Sequence, residues 1–150
     1  MAARNGVNVH LFTNSHESDA QIAPLGLNWT ISLPDMLALS EAGVKISIFE
    51  AKPGVHPWKY LHKKMAIVDD DVFVGSHNFN LPSTLYNDEM DFEIEDATFA
   101  NSVRERLEGQ IALAGRPIDA GELSWGLAHR GLPVIRNIEW WLGKEMIPLF

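Results

Sequence analysis

The sequence predicts an α/β fold, because strand-like runs alternate along the chain with longer segments of helical pattern. Strands are predicted at Val7–Phe12 and at Lys45–Glu50, which are of strand length and carry apolar residues at every second position. A helical pattern lies between them at Pro34–Ala42. The alternation returns later, where residues 89–95 alternate between apolar and acidic side chains and residues 97–114 carry an apolar stripe. Alternating strands and helices are typical of α/β domains.

Glycine and proline mark the first elements. Ala2–Gly6 has the composition of a helix end, with Gly6 at the C-terminal cap. Too few residues precede Gly6 for a stable helix, so the chain is expected to begin at the end of a helix whose body is missing. The next helix is predicted to start near Pro34 and to stop at Gly43, since proline suits the first turn and glycine the C-terminal cap.

The last third of the sequence predicts a strand and two helices. The strand at 89–95 alternates strictly and is expected to be half-buried. Asp96 is predicted to cap a helix that ends near Ala114 and carries its apolar residues four apart. Residues 116–133 are rich in glycine and have no clear period. The Trp-containing tail at 134–149 is amphipathic, and it is predicted either to pack as a terminal helix or to lie at a membrane interface.

The composition limits the classes of function. The chain has 150 residues, enough for one domain, with 46% hydrophobic and 21% charged residues. It contains no cysteine, which excludes a disulfide framework, a thiol nucleophile and a thiolate metal site. The net charge is -8, from 12 Lys and Arg against 20 Asp and Glu. Because nucleic-acid binding depends on phosphate neutralisation by Lys and Arg, this acidity counts against a nucleic-acid partner.

The middle of the chain predicts a β-hairpin. Apolar runs at 65–68 and 72–74 flank three aspartates, which are a turn signal. His62 and Lys64 stand just before the first run, and because side chains alternate along a strand they are expected to share one face. An imidazole and an ammonium on one face form a pocket for an anion.

The residues after the hairpin complete the chemistry of an anion site. Gly75 follows the second run and is expected to let the backbone approach a ligand closely. Ser76 and Asn78 are expected to share a face and to donate hydrogen bonds to phosphate oxygens. Glu89 adds a carboxylate further along the chain. Together these residue types suit nucleophilic attack on a phosphodiester.

No metal ion and no cofactor are expected at this site. Lysine is not a usual metal ligand, and the other histidines lack the paired spacing of a ligand set. His10 and His129 are expected to be structural or surface residues. Asn14, His16 and His77 are candidates for the edge of the pocket.

The segment from His62 to Asn78 resembles the signature of the phospholipase D superfamily, H-x-K-x4-D followed by G-S-x-N. Within that superfamily the chain looks most like the C-terminal half of bacterial cardiolipin synthase-like phosphatidyltransferases. The similar segments are Thr13-Asn14-Ser15, Asn87-Asp88-Glu89-Met90 and the terminal Trp-Leu stretch. The resemblance implies one phospholipase D-like half-domain over residues 1–150, with a mixed, mostly parallel sheet flanked by helices and without its first strand-helix unit.

The resemblance also implies a role for each residue of the site. His62 would attack phosphorus and form a phosphohistidine intermediate. Glu89 would accept a hydrogen bond from the imidazole of His62 and orient it. Asp69 would support the pocket by orienting a histidine, without acting as an acid itself. The non-bridging oxygens of the phosphate would be held by Lys64, Ser76 and Asn78.

Three features depart from the family pattern. Asp69 and Gly75 are separated by five residues, one fewer than is usual in the family. Asn80-Leu81-Pro82-Ser83 stands where related synthases often read Asp-Pro-Arg-Ser, so an arginine is missing. Only one H-x-K is present, although the chemistry of the family needs a second histidine to protonate the leaving oxygen. A second half is therefore expected, either in a missing N-terminal part of a longer protein or in another copy of this chain.

Three functions remain open from the sequence. The first is phosphatidyl transfer in phospholipid synthesis, with a phospholipid substrate and peripheral membrane contact through 134–150. That function would place the protein at the cytoplasmic side of a bacterial inner membrane. The second is a homodimeric phosphodiesterase or endonuclease, which the acidic charge disfavours. The third is a catalytically incomplete fragment that binds phosphate groups without turnover.

Overall fold

A computed structural model describes residues 2–21, 26–50, 59–78 and 81–131 of the chain. These residues form two compact units. Unit 1 comprises the described residues up to Leu61 and from Ala114 onward, and unit 2 comprises His62–Leu113. A short 3-10 turn at Ala3–Asn5 opens the described chain, and a π-helical turn at Leu127–Gly131 closes it. Between them lie β1 (His10–Asn14), α1 (His16–Asp19), α2 (Leu27–Glu41), β2 (Lys45–Phe49), β3 (Met65–Val68), β4 (Asp71–Gly75), α3 (Leu81–Leu85), β5 (Asp91–Glu95), α4 (Ala97–Ala114), β6 (Gly115–Ile118) and α5 (Ala120–Gly126).

Unit 1 is built on a three-stranded sheet in the order β1-β2-β6. β1 runs parallel to β2, whereas β6 pairs with β2 in the antiparallel direction. The hydrophobic core of this unit takes side chains from α2, from β2 and the residue before it, from β6 and from α5. Its buried members are Trp29, Leu33, Met36, Val44, Ile46, Ile48, Ile118 and Leu123.

The predicted start of the first long helix at Pro34 is wrong, because α2 begins at Leu27 and contains Pro34 in its interior. The reason is a cap from outside the helix. The buried carboxylate of Asp19 accepts hydrogen bonds from the backbone N–H of Trp29 at 2.9 Å and from the amide of Asn28 at 3.1 Å. These bonds satisfy donors that the first turn leaves open, so the helix can start well before the proline.

Several other predictions for unit 1 can be compared with the structure. Gly6 and Gly43 take left-handed backbone conformations with φ of 86° and 92°, as predicted for helix-ending glycines. β1 starts three residues later than predicted, at His10. β6 and α5 were not predicted, because Pro117 and the glycines of this region hide the hydrophobic pattern. Asp119 caps α5 by accepting a hydrogen bond from the backbone N–H of Glu122 at 2.8 Å.

Unit 2 is built on an antiparallel three-stranded sheet in the order β3-β4-β5. The predicted hairpin is confirmed, with Met65 opposite Val74 and Val68 opposite Asp71. The predicted cap of α4 is also confirmed, since Asp96 accepts a hydrogen bond from the backbone N–H of Phe99 at 2.8 Å.

Two predictions about the sheets need correction. The α/β class with a mixed sheet is confirmed, but among the described strand pairs one is parallel and three are antiparallel. The expected mostly parallel sheet is therefore not found in the described residues. Short connections such as the Asp69–Asp70 turn permit only antiparallel pairing, since parallel strands need a long crossover. The strand predicted to be half-buried at 89–95 is present as β5, but Phe92 is 60% exposed.

The tail predicted as a helix at 134–149 lies outside the described residues. Of the helices that the structure describes, none combines the length and the apolar character that a membrane crossing requires.

Candidate active site

The hairpin of unit 2 brings the two parts of the sequence motif together. His62 and Lys64 lie just before β3 rather than within it. The carbonyl oxygen of Lys64 accepts a hydrogen bond from the backbone N–H of Gly75 at 3.2 Å. The ammonium of Lys64 donates to the carbonyl oxygen of His62 at 2.9 Å. The H-x-K segment and the Gly75-Ser76 segment therefore adjoin at the open end of the hairpin.

Gly75 is needed because another strand approaches it. It lies opposite Asp91 in the β4–β5 pair. A Cβ atom at Gly75 would collide with the backbone of Asp91 and with the carbonyl oxygen of Met90. Sequence reasoning expected the close approach of a ligand at this glycine, whereas the structure places the backbone of β5 there.

The hydroxyl of Ser76 holds Glu89. Ser76 Oγ donates to Glu89 Oε2 at 2.5 Å and accepts from the backbone N–H of Met90 at 3.0 Å. The backbone N–H of Ser76 donates to the carbonyl oxygen of Met90 at 3.0 Å. A hydroxyl has a single proton to donate. In this arrangement the proton of Ser76 is donated to Glu89. The predicted contact of Ser76 with a phosphate oxygen stays a prediction.

Glu89 is the acceptor at the centre of a polar network in unit 2. Its second oxygen accepts from the amide of Asn87 at 3.2 Å. The hydrogen bonds from Ser76 and then Ser83 hold the pKa of Glu89 below its usual value of 4.5, with smaller contributions from Asn87 and the charge of His77. These bonds favour the ionised carboxylate. The sequence predicted that Glu89 accepts from His62, and this stays a prediction. The donors that the structure gives Glu89 are Ser76 and Asn87.

Ser83 is a site residue that sequence reasoning did not assign. It lies in α3, and its side chain is 3% exposed. Its hydroxyl accepts a hydrogen bond from the amide of Asn78 at 3.4 Å. The signal was present in the sequence as the serine of Asn80-Leu81-Pro82-Ser83, the segment similar to a family motif.

His77 is tied to two elements of unit 2. Its Nδ1 atom is 3.5 Å from the carboxylate of Asp91, and its Nε2 atom is 3.2 Å from the hydroxyl of Thr84. Its backbone N–H also donates to Asp91, at 3.3 Å. His77 therefore connects β5 to α3 through Asp91 and Thr84.

The structure does not bring Asp69 to this network. Asp69 lies in the turn at the far end of β3 from Lys64, about 13 Å along a four-residue strand. It has a φ of 50°, a conformation that aspartate tolerates in turns. Its carbonyl oxygen accepts a hydrogen bond from the guanidinium of Arg104 at 2.5 Å. The described contact of Asp69 therefore holds the hairpin turn.

Asn14 and His16, two candidates for the edge of the pocket, belong to unit 1. Asn14 Nδ2 donates to the carbonyl oxygen of Leu61 at 3.0 Å, and Asn14 Oδ1 accepts from the backbone N–H of Leu61 at 2.7 Å. Leu61 is the residue directly before His62. His16 packs against Gly26, where a Cβ atom would come within 2.8 Å of the imidazole.

The remaining described histidines make structural contacts, as predicted. His10 Nε2 is 2.9 Å from the hydroxyl of Ser47 on the neighbouring strand. His129 stacks on Trp125 with ring centroids 4.5 Å apart. Among the side chains that the structure describes, no group of three His, Asp or Glu residues could hold a metal ion.

Comparison with known proteins gives one matching family and two curated relatives. The family described as cardiolipin synthase, PLD-like domain, matches residues 1–111, which include every residue of the network above. Cardiolipin synthase B from Salmonella typhi is 31% identical over 123 residues, which cover 81% of this chain and 27% of the relative. Cardiolipin synthase B from Salmonella typhimurium strain LT2 gives the same identity and coverage. The chain thus spans 27% of the length of these curated relatives.

One solved structure supports the fold. The crystal structure of Nuc from Salmonella typhimurium, a phospholipase D family member, aligns with a TM-score of 0.56 at 20% identity. The alignment covers 79% of this chain and 68% of Nuc.

Proposed function

Because the chain belongs to the family of cardiolipin synthase, PLD-like domains, we propose that it transfers phosphatidyl groups between glycerolipids through a phosphohistidine on His62. It does so as one half of an active site that needs a second histidine. The coarser part of this proposal, phosphodiester transfer of the phospholipase D type, is supported by the family match and by the relatives.

The observation that carries the proposal is the hydrogen bond between Lys64 and Gly75. It joins the segment that bears the nucleophile and the ammonium to the segment that bears Ser76 and Asn78. An imidazole, a cation and amide donors at one end of a hairpin are the groups that an in-line attack on a phosphodiester requires.

The proposed reaction has two steps that balance. In the first, an imidazole nitrogen of His62 attacks phosphorus, the bond from phosphorus to the leaving alcohol breaks, and the leaving oxygen takes a proton from the histidine of the second half. In the second, the acceptor alcohol gives its proton to that same histidine and attacks phosphorus, and the phosphorus–nitrogen bond breaks. Water as the acceptor would give hydrolysis in place of transfer.

Three groups of this chain assist both steps. Lys64 and Asn78 offer positive charge and N–H donors to the non-bridging oxygens. Glu89, kept ionised by its serine donors, accepts a hydrogen bond from the imidazole and orients it. In our proposal Ser76 acts mainly through Glu89, because its hydroxyl donates to that carboxylate.

The second half and the location of the protein are further parts of the proposal. The relatives are longer than this chain, which supports a second half in the same longer protein. A second copy of the chain is the other source. A phospholipid substrate would place the site beside a membrane surface, on the cytoplasmic side of a bacterial inner membrane, with residues 134–150 as the proposed contact.

An isotope-exchange assay tests the proposal. The protein is incubated with phosphatidylglycerol vesicles and radiolabelled glycerol, and labelled phosphatidylglycerol is measured. Transfer through His62 predicts incorporation that His62→Ala abolishes and that His129→Ala, a change at a structural histidine, leaves intact. Equal incorporation by wild type and His62→Ala, or none by a wild-type protein that contains the second half, would sink the proposal. Cleavage of single-stranded DNA in a parallel reaction would instead favour the phosphodiesterase alternative, and its rate should then fall steeply with salt.

A further inference from the structure

We propose that Lys63 is a positioning residue of the phosphate site, whose ammonium anchors the segment that bears His62 and Lys64 to α4. The inference deepens the function proposed above and rests on it, because it assigns a role to the residue between the proposed nucleophile and a proposed phosphate ligand. It concerns unit 2 alone, since all the groups involved belong to that unit.

The hydrogen bond between Lys63 and Gln110 is the first step of the argument. Lys63 Nζ donates to Gln110 Oε1 on α4 at 2.6 Å, across 47 positions of the chain. Hydrogen bonds from a charged donor are shorter and stronger than those between neutral groups. Because side chains alternate along an extended chain, Lys63 is expected on the face opposite to His62 and Lys64. Its ammonium is thus directed to the helix, away from the face expected for the phosphate.

The position of this bond relative to β3 is the second step. Near one end of β3, Gln110 accepts from Lys63, and at the other end Arg104 Nη2 donates to the carbonyl oxygen of Asp69 at 2.5 Å. α4 therefore holds the hairpin near both ends of the same strand. Functional groups that are supported by regular elements are positioned more precisely than groups on unsupported loops.

The third step connects the anchor to the phosphate site. The ladder pairs of β3 begin at Met65, so His62 and Lys64 lie outside them. The carbonyl oxygen of Lys64 accepts from the backbone N–H of Gly75 at 3.2 Å, which is the long end of the range for such bonds. The bond from Lys63 to α4 supplies a second hold on the same short segment. Loss of this bond should therefore let Lys64 move relative to the phosphate site.

The test measures two properties of the purified chain by NMR. The first is the affinity for inorganic phosphate, followed by the side-chain carbon shifts of Lys64 during a phosphate titration. The second is the rate of hydrogen exchange at the Gly75 amide, since this N–H is bonded to the carbonyl oxygen of Lys64. Exchange reports whether the segment stays adjoined to the hairpin, and phosphate affinity reports whether the site is affected.

Lys63→Met should weaken phosphate binding about twofold to fivefold, the size expected for an exposed pair, and should speed exchange at Gly75. Lys63→Arg keeps the charge and an N–H donor and should keep both properties near their wild-type values. Arg104→Met is the matched control, because it removes one positive charge and one bond between α4 and the hairpin at the far end of β3. It should leave phosphate affinity unchanged.

Gln110 separates an anchor from a direct phosphate contact. Gln110→Met removes the acceptor without changing the charge of the chain, so it should weaken phosphate binding if Lys63 acts as an anchor. In the Lys63→Met background the same change should have no further effect, since the bond is already absent. If Lys63 bound phosphate by its own charge, Gln110→Met would release the ammonium and leave the affinity equal or higher.

Unchanged or tighter phosphate binding in Gln110→Met would overturn the inference, and so would a wild-type chain that does not bind phosphate. Equal weakening by Lys63→Met and Arg104→Met would also overturn it, since the loss of any positive charge would then explain the effect. Faster exchange at Gly75 without weaker phosphate binding would show a purely structural bond and would overturn it too. The readouts do not depend on turnover, so failure of the proposed function in the exchange assay is distinguishable from failure of the role of Lys63.

Discussion

The side-chain amide of Asn14 forms two hydrogen bonds with the backbone of Leu61. The amide of Asn14 donates to the carbonyl oxygen of Leu61 and accepts from its N–H, at 3.0 Å and 2.7 Å. The carboxamide thus pairs with the peptide group as a neighbouring strand would. It fixes the residue that directly precedes the proposed nucleophile His62.

Asn14→Ala should therefore release the backbone at Leu61. We expect a loss of about 1–2 kcal/mol in unfolding free energy, since two hydrogen bonds disappear, and faster hydrogen exchange at the Leu61 amide. Asn14→Asp keeps the acceptor and should protect that amide better than alanine does. Asn8→Ala, at an exposed position of the same unit, is the control. Equal exchange at Leu61 in wild type and Asn14→Ala would contradict the proposed anchor.

The close approach of β4 and β5 predicts that Gly75 cannot be replaced. In Gly75→Ala the new methyl group would meet the backbone of Asp91, so we expect a loss of about 1–3 kcal/mol from overpacking. Gly109→Ala is the matched change, because nothing lies within 4 Å of its Cβ position in α4. That variant should gain about 0.5–1 kcal/mol, as alanine is the better helix former. Urea denaturation compares the two, and equal midpoints would refute the steric argument.

The cap of α2 can be tested at Asp19. In Asp19→Ala the buried N–H of Trp29 loses its acceptor, and we expect a loss of about 2 kcal/mol with reduced helical signal. Asp19→Asn keeps one oxygen acceptor and should lose less. Asp35→Ala removes an exposed carboxylate of the same helix and serves as the control. Thermal melting followed by circular dichroism measures all three. A helix as stable in Asp19→Ala as in the control would show that the cap is unimportant.

The ion pair between Arg116 and Glu122 predicts a dependence on pH. Two guanidinium nitrogens of Arg116 donate to the two carboxylate oxygens of Glu122, at 2.8 Å and 2.7 Å. These hydrogen bonds hold the pKa of Glu122 below its usual 4.5. Because the folded pKa is the lower one, the stabilisation is present above pH 4.5 and is lost as the pH falls through the folded value.

Glu122→Gln, which keeps the hydrogen bond of Arg116 Nε to Glu50, should therefore cost most near neutral pH and progressively less below pH 4.5. The cost should stay within about 1 kcal/mol, because the Glu122 side chain is 46% exposed and solvent screens the pair. Urea denaturation of wild type and variant at several pH values gives the difference. Arg106→Met on α4 is the control and should show no such trend. A difference that stays constant as the pH falls would exclude this pair as the cause.

The parts of the fold that the sequence predicts are those decided by local chemistry. The hairpin follows from two β-branched runs around aspartates, and the caps at Gly43 and Asp96 follow from neighbouring residues. The start of α2 was missed because its cap comes from Asp19, which is separated from the helix in the chain. β6 was missed because it becomes a strand only by pairing with β2.

In the candidate site, too, the sequence predicts what local spacing decides and misses what only the fold brings together. From their spacing along the sequence, His62, Lys64 and Gly75 were predicted to lie at the same end of the hairpin. The sequence assigned the hydroxyl of Ser76 to a phosphate oxygen. In the structure this hydroxyl donates to the carboxylate of Glu89, which only the fold brings beside it. Ser83 was missed since a lone serine in a short helix has no periodic signal. Its burial becomes visible only in the folded structure.

The order of the strands along the chain has a consequence for how the protein is made. In the β3–β4 hairpin the paired strands are separated by a two-residue turn. β2 pairs with β6 much later in the chain, where the last residue of β6, Ile118, lies opposite Ile46. Local pairs close quickly and distant pairs slowly. During synthesis the hairpin that bears the proposed nucleophile can thus form while the sheet of unit 1 is still incomplete. Slow translation after β5 and before β6 would leave the edge of β2 that pairs with β6 exposed to aggregation. The β3–β4 hairpin would already have formed.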